Sequence, residues 1–353
     1  MIAHITGNLL EADVEALVNT VNTVGVMGKG IALQFRQAYP ENYQIYQAAC
    51  KRGEVVPGKM LVYETNRLEN PKYIINFPTK RHWKQKSQIQ DIDAGLVSLV
   101  AEVRARNIHS IALPPLGCGN GGLEWNDVRP RIEQAFNSLP HVYVLVFAPD
   151  GAPIADSMSI NTRRPNMTLG RAAVIELIKR YAIPGYRVTM LEIEKLAYFL
   201  QEAGQPLKLH YTKGQYGPYT ETLHPVLQRI DGHFIRGYGD RSRGASIHLL
   251  PGADLEAEDF LQEDDNTRMR LERVTQLITG FETPYSLELL ATIHWIAHYI
   301  DANAANDVTT VIHHVHSWNK RKQRFPSEHI KLAWQRLRNQ GWLHIDGATV
   351  SDT

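Results

Sequence analysis

Residues 113–125 read LPPLGCGNGGLEW, with four glycines (Gly117, Gly119, Gly121 and Gly122) packed into six positions. A β-rich run, 109–114, precedes them, and a helical pattern, EWNDVRPRIEQAF, follows. In that pattern Asn126 is the expected N-cap, with Val128, Ile132 and Phe136 on one face. A glycine-rich joint between a strand end and a helix start suits a cradle of amide donors for phosphate. It is neither GxxxxGK[ST] nor a GxGxxG at a first βα turn, which disfavours a Walker NTPase or a nicotinamide dehydrogenase.

The same alternation extends through residues 1–150. Strands are expected at 1–6, 15–20, 59–64, 72–78, 109–114 and 141–148, and helices at 29–38, 41–52, 88–106 and 126–138. This order predicts an α/β domain, a sheet with helices on its faces. Ligands of such sheets sit in the crevice at the strand ends. A second glycine segment belongs there, NTVNTVGVMGKGIALQF (19–35), where Gly25, Gly28 and Gly30 open a helix. Glycines let backbone N–H groups approach a ligand and a helix N-terminus favours an anion, although such turns also serve packing alone. Two phosphate-type loops on one sheet edge suggest a ligand with a diphosphate.

A third segment, INFPTKRHWKQKS (75–87), leaves an apolar run and turns at once into Lys80, Arg81, Lys84 and Lys86, with His82 and Trp83 between them. A solvated basic loop, a nucleic-acid contact and a catalytic position are all compatible with this composition. A catalytic lysine that attacks as a neutral amine needs its pKa lowered, and Arg81 and Lys84 are the cations placed to do so.

With 353 residues the chain is long enough for two domains. Its 43% hydrophobic and 21% charged residues are those of a globular protein, and a net charge of +1 leaves any nucleic-acid contact to a local patch. Cys50 and Cys118 form no metal or CxxC spacing, and no segment reads as a signal or membrane span, so a reduced, cytoplasmic setting without a membrane is expected. Cys118 lacks a His/Asp pairing and reads as packing beside the ligand, while Asp13 and Glu124 lie near the same edge without a spacing signature.

Proline-rich residues 151–165 read as a linker between a domain at 1–150 and a mainly α-helical one at 166–353. In the latter, TMLEIEKLAYFLQEAG pairs Thr189 with Glu192 in a capping box and ends at Gly204. A strand (207–212), the loop KGQYGPYTE and a helix near 220–230 follow. Further helices are expected at 267–279 and 285–301, after the acidic tract 254–265. The end, PSEHIKLAWQRLRNQGWLHID, reads as a Ser327-capped helix closed by Gly341 and then a strand, a winged-helix-like ending. His294 and His298 share one helix face and HHVH (313–316) follows, but without HExxH or a cysteine partner no metal site is expected.

Together ITGNLLEADVEALVNTVN (5–22) and PPLGCGNGGL resemble the macrodomain family, which binds ADP-ribose. The resemblance implies a three-layer α/β/α fold with a mixed sheet. It implies ADP-ribose contacts at Gly7, Asn8, Leu9, Asn19, Thr23, Val26, Met27, Gly28, Gly30 and Ile31, and at Pro115, Gly117, Cys118, Gly119, Asn120, Gly121 and Gly122. Many macrodomains hold the adenine with an aspartate where this chain has Asn8. GVMGKGIALQF and FPTK resemble the branch of DarG-type antitoxins, DNA ADP-ribosyl glycohydrolases in which a lysine after the fourth strand is catalytic. That position falls on Lys80, with Asn22 orienting the distal ribose. The branch implies cleavage of ADP-ribose from thymine in single-stranded DNA without a cofactor, and Arg81, Trp83 and Lys84 are candidate DNA contacts. KLAYFLQEAGQPLKLHYTKGQYGPYTETL resembles an antitoxin domain that inhibits a cognate toxin, here a DNA ADP-ribosyltransferase. Tyr216–Tyr219 and the acidic tract are its candidate partner-facing segments. A non-catalytic ADP-ribose-binding module and a protein ADP-ribosyl hydrolase are the alternatives.

Overall fold

The computed structural model describes residues 1–149, 158–182, 186–239 and 246–343. The chain separates into two compact units, one built on Met1–Arg163 and the other on the chain from Arg164. The expected linker, 151–165, lies partly outside the described residues.

The first unit alternates strands and helices: β1 (Ile2–Ile5), a 3-10 turn (Leu9–Glu11), β2 (Ala16–Asn22), α1 (Gly30–Ala38), α2 (Pro40–Lys51), β3 (Leu61–Glu64), β4 (Tyr73–Lys80), α3 (Ile89–Ala105), β5 (Ser110–Leu113), α4 (Trp125–Phe136) and β6 (Tyr143–Phe147). The six strands form one sheet in the order β1-β6-β5-β2-β4-β3. Pairing is parallel except for β3, which runs antiparallel to β4 and makes the sheet mixed.

Strand alternation sorts the apolar residues onto two faces. Val18, Ile75, Phe77, Ile111, Leu113 and Val144 pack under α3 and α4 against Leu96, Leu99, Val128 and Ile132. Leu17, Ile74, Ala112 and Leu145 face Phe35 of α1, and Val21 joins Met27, Tyr46 and Ala49 beneath α2. The result is a three-layer α/β/α fold. Gly95 sets how closely α3 lies on the sheet, because a Cβ there would stand 2.1 Å from Phe77 Cζ. α4 starts one residue before the expected cap. Leu123 N–H already closes the glycine loop on Gly117 O (3.1 Å), so the chain has turned at Glu124 and Asn126 sits inside the helix.

β4 carries an irregularity at its end. Val21 stands opposite Pro78 and Asn22 opposite Lys80, which leaves Thr79 as the extra residue of a bulge. Five parallel strands bring their C-terminal ends, and the segments after them, to one edge of the sheet.

The second unit is mainly helical, with α5 (Leu169–Tyr181), β7 (Val188–Thr189), α6 (Met190–Glu202), β8 (Thr212–Gly214), β9 (Gly217–Tyr219), α7 (His224–Ile230), β10 (Ile235–Arg236), β11 (Ser246–Leu249), α8 (Ala253–Phe260), α9 (Asp265–Ile278), α10 (Pro284–Tyr299), α11 (Val308–Trp318) and α12 (Ser327–Asn339). The Thr189/Glu192 capping box forms as expected. Of the expected strand 207–212 only Thr212 is in a strand. The Gln201 amide instead grips both backbone groups of Leu209 (2.7 and 2.9 Å), supplying from a side chain what a neighbouring strand would. Ser327 is the first residue of α12, after Pro326, and caps nothing. The expected final strand lies outside the described residues. No helix among the described residues is long and apolar enough to cross a membrane.

Candidate active site

Lys80 ends β4, two strand spacings from β5, yet its Nζ donates to the Asn120 carbonyl in the loop after β5. The side chain therefore crosses above the end of β2, a span of roughly 10 Å. It is half-buried, and burial lowers its pKa from the ordinary lysine value. The expected cause, cationic neighbours, does not apply. The Arg81 guanidinium is turned aside onto the Asp91 carboxylate (2.9 and 3.4 Å), and the Lys84 ammonium lies 4.9 Å from the Trp83 ring.

The glycine loop that meets Lys80 is held by bonds from Cys118 N to Pro115 O, Gly122 N to Gly119 O, Leu123 N to Gly117 O and Ser87 N to Gly121 O. None of these uses the amides of Gly119, Asn120 or Gly121. Gly121 is required by contact: a Cβ there would stand 2.0 Å from Gly117 O and 2.4 Å from Ser87 Oγ. Beside the loop, α1 opens after Lys29 without a side-chain cap, and a Cβ on Gly30 would lie 3.1 Å from Asn120 Nδ2. The two glycine segments thus face each other, with unpaired amide donors of a kind that binds anions.

Asn22, at the end of β2, has its side chain turned into the protein. Its Oδ1 accepts from Val24 N–H (3.0 Å) and Val26 N–H (3.3 Å), its Nδ2 donates to Val26 O (2.5 Å), and Tyr46 Oη donates to its carbonyl (2.7 Å). Asn22 builds the 22–26 loop. Thr23 Oγ1 donates to Arg81 O (2.6 Å), tying that loop to the chain just beyond Lys80.

Several residues expected at the ligand engage their side chains within the protein. Asn19 is fully buried, donating to Asn76 Oδ1 (3.0 Å), while Asn76 donates to Asn42 Oδ1 (2.7 Å). Its side chain joins β2 to β4 in the interior, and Asn76 carries the link on to α2. Met27 and Leu9 likewise bury their side chains in the core and offer the edge only backbone. Asn8 caps the 3-10 turn, accepting from Leu10 N–H (3.1 Å) and donating to Glu11 (2.8 Å). The Cys118 thiol is pushed up to about 11 by burial and by Glu124 and Asp127, so it is a poor nucleophile. Val26 is exposed. Gly7, Gly28, Ile31, Pro115 and Gly117 lie on the segments that follow β1, β2 and β5.

Among the described residues no cluster of three or more His, Cys, Asp or Glu could hold a metal. His294 is engaged with Tyr198 Oη (2.7 Å) and His298 with Trp342 O (2.9 Å).

Residues 18–132 match the Macro domain family. Over 343 residues the chain is 46% identical to the DNA ADP-ribosyl glycohydrolase of Thermus aquaticus, covering 97% of this chain and 94% of that protein. The chain belongs to the DNA ADP-ribosyl glycohydrolase family. The solved macrodomain of Mycobacterium tuberculosis DarG is 57% identical, covers 42% of this chain and 99% of its own, and superposes with a TM-score of 0.42. A DNA ADP-ribosyl transferase-DNA ADP-ribosyl glycohydrolase fusion protein of Thermosipho africanus is 38% identical over 160 residues, 41% of each chain.

In this glycohydrolase-family chain Lys80, Asn120 and the facing glycines meet as expected. Asp91, Ser87 and Tyr46, which hold the site's segments in place, carry no sequence signature. Asp91 alone left a trace, as an acidic residue in the first turn of α3. The second unit presents the YGPY segment as the β8–β9 hairpin, with Tyr216 exposed at its turn and the Arg321 guanidinium 4.6 Å from its ring. The acidic tract is partly neutralised within its own unit: Glu256 pairs with Arg164 (2.6 Å), Glu258 with Lys179 (2.7 Å), and Asp264 caps α9.

Proposed function

We propose that the first unit releases ADP-ribose from thymine bases of single-stranded DNA, and that the second binds and inhibits a partner DNA ADP-ribosyltransferase. The observation that carries the first half is Lys80: a half-buried amine with a lowered pKa, held by a carbonyl and aimed across the end of β2 at a loop of free amides. The amides of Gly119, Asn120 and Gly121, with the N-terminus of α1, hold the diphosphate. The 22–26 loop that Asn22 builds, together with Thr23, shapes the pocket for the distal ribose.

Positive charge develops at the anomeric carbon as the base departs. The neutral Nζ of Lys80 attacks that carbon, and the bond to the thymine nitrogen breaks. Its electron pair leaves with the base, which takes up a proton. Water then displaces the lysine, freeing ADP-ribose and restoring the amine. A lowered lysine pKa supports this reading because it enlarges the neutral fraction at a given pH.

Support for the partner reading comes from the Thermosipho africanus relative, whose name joins a DNA ADP-ribosyl transferase and a glycohydrolase in one chain. Incubating the purified chain with an ADP-ribosylated thymine oligonucleotide and, separately, an ADP-ribosylated protein tests the substrate. Free ADP-ribose is expected from the oligonucleotide. Release from the protein alone would replace the DNA reading, and tight binding without release from either would make the unit a reader. Inhibition of the purified transferase by the Lys80→Ala chain is expected to persist, since it belongs to the second unit.

A further inference from the structure

We infer that the cleft just beyond Lys80 is a subsite for a backbone phosphate of the strand that carries the ADP-ribose, and that it makes DNA the preferred carrier. This rests on the reading of the first unit as a DNA ADP-ribosyl glycohydrolase. The cleft, of about 460 Å³, is lined by Arg81, Gln85, Lys86, Ser87, Gln88 and Asp91. No apolar side chain lines it, so it is built for a polar occupant and not for a stacked base.

Its position follows from three contacts. Arg81 is the residue after Lys80, and its carbonyl is held by Thr23 Oγ1. Ser87 N–H bonds Gly121 O (3.0 Å), fastening the far wall to the glycine loop. The stem of Lys86 runs along that loop, with Cδ and Cε 3.9 Å from where a Cβ on Gly122 would stand. The cleft therefore adjoins both the amine and the diphosphate cradle. Lys80 faces the bond to be broken, so the carrier of the ADP-ribose leaves the pocket past the chain that follows Lys80.

The chemistry fits an anion. Arg81 and Lys86 bring two positive charges, and Gln85 and Gln88 bring amide donors. The one carboxylate, Asp91, accepts from Arg81 Nε and Nη2 and so orients the guanidinium, leaving its Nη1 N–H groups for another acceptor. One net positive charge remains. A nucleotide within a strand has a phosphodiester on either side of its base, whereas an ADP-ribosylated protein side chain brings no obligatory anion. The exposed tip of this segment differs: His82 stacks on Trp83 (5.5 Å) and Lys84 lies over the same ring, and none of the three lines the cleft.

The test uses the full chain, Lys86→Gln and Lys86→Arg. Three probes separate the contributions: an unmodified oligothymidylate for affinity and its salt dependence, an ADP-ribosylated oligonucleotide, and ADP-ribosyl-thymidine, which has no flanking phosphate. Lys86→Gln is expected to raise KM for the modified oligonucleotide about five- to tenfold with kcat held, and to reduce the salt slope by about one. ADP-ribosyl-thymidine turnover should stay unaffected, and Lys86→Arg should restore the oligonucleotide values. Equal losses on both substrates would overturn the inference by placing Lys86 on the diphosphate, and so would unchanged oligonucleotide KM and salt slope. If the unsubstituted chain released ADP-ribose from neither substrate, the proposed function would fall, yet the oligothymidylate measurements would still decide the cleft. A weakened affinity with a shallower slope in Lys86→Gln supports it, and an unchanged one sinks it.

Discussion

Lys80 at the sheet edge and Lys322 with Lys195 in the second unit are all lysines drawn out of water, and they are treated in opposite ways. Lys322 and Lys195 are completely buried. Lys322 Nζ reaches Glu288 Oε1 and Thr292 Oγ1, both at 2.8 Å, and Arg321 grips the same carboxylate at 2.7 and 2.8 Å. Lys195 pairs with Glu194 (3.2 Å) and donates to Pro218 O (2.5 Å), pinning the hairpin below Tyr216. Burial pushes Lys322 down to about 8 against the opposing pull of Glu288. Lys80 is only half-buried, and its one hydrogen-bond partner among the described residues is a neutral carbonyl. A cation used to build the fold is neutralised on all sides, because a buried unpaired charge is severely destabilising. In the proposed reaction the Lys80 amine is partly desolvated, which lowers its pKa, and no carboxylate pairs with it among the described residues.

The largest expected effect that sharpens this contrast is Lys80→Ala. Release of ADP-ribose from modified DNA should fall by about 10³-fold or more, within the range of nucleophilic and general acid–base groups. The unfolding midpoint should hardly move. A residual rate within a few-fold of the original would break the contrast, since Lys80 would then be another structural cation.

Glu288→Ala probes the opposite case. Leaving Lys322 buried without its carboxylate should destabilise the second unit by about 3–5 kcal/mol in urea unfolding. ADP-ribose release should not change. Pairing Glu288→Leu with Lys322→Met should recover much of the stability, because it removes both charges together.

Gly121→Ala tests the cradle that Lys80 faces. The added Cβ meets Gly117 O at 2.0 Å, so the loop must shift. Strain of about 1–3 kcal/mol corresponds to a loss of ADP-ribose affinity of roughly 5- to 150-fold by calorimetry. An affinity within twofold of the parent would show that the amides are not the diphosphate donors.

The pH profile is the smallest effect. Burial lowers the Lys80 pKa, so its neutral form becomes populated below the ordinary lysine value of about 10.4. If the neutral amine reacts, the release rate rises with pH, by up to about tenfold per unit, and levels off through a midpoint below that value. A rate that falls through the same midpoint would assign the work to the ammonium form.

Sequence patterns carried the layers of the first unit, because glycines punctuate it and apolar runs alternate in period with the helices between them. The facing glycines were legible because strand ends and helix starts must share an edge, whereas Lys80 stood out from its basic run only through the resemblance of FPTK to the family. The resemblance put Asn19 among the ligand contacts, but the inward turn of its side chain was not legible, because an asparagine near a strand end looks the same whichever way it faces. Its partner Asn76 lies 57 residues away. Tyr46 and the Glu288–Lys322 pair were invisible on similar grounds, being defined by contacts between distant segments, and Asp91 showed only as a first-turn acid of α3. The strand expected at 207–212 failed because Gln201 supplies the hydrogen bonds that a strand would have sought.

The bulge at Thr79 bears on how this site could change. Asn22 stands opposite Lys80 only because β4 has one residue more than β2 over that step. If β4 instead paired regularly past Pro78, Asn22 would stand opposite Thr79, and Lys80 would fall one position further along, on the other face of the pleat. The place of the Lys80 amine is thus specified by an irregularity in strand pairing as much as by the letter at position 80, and a change that straightened the bulge would displace the amine while leaving residue 80 a lysine.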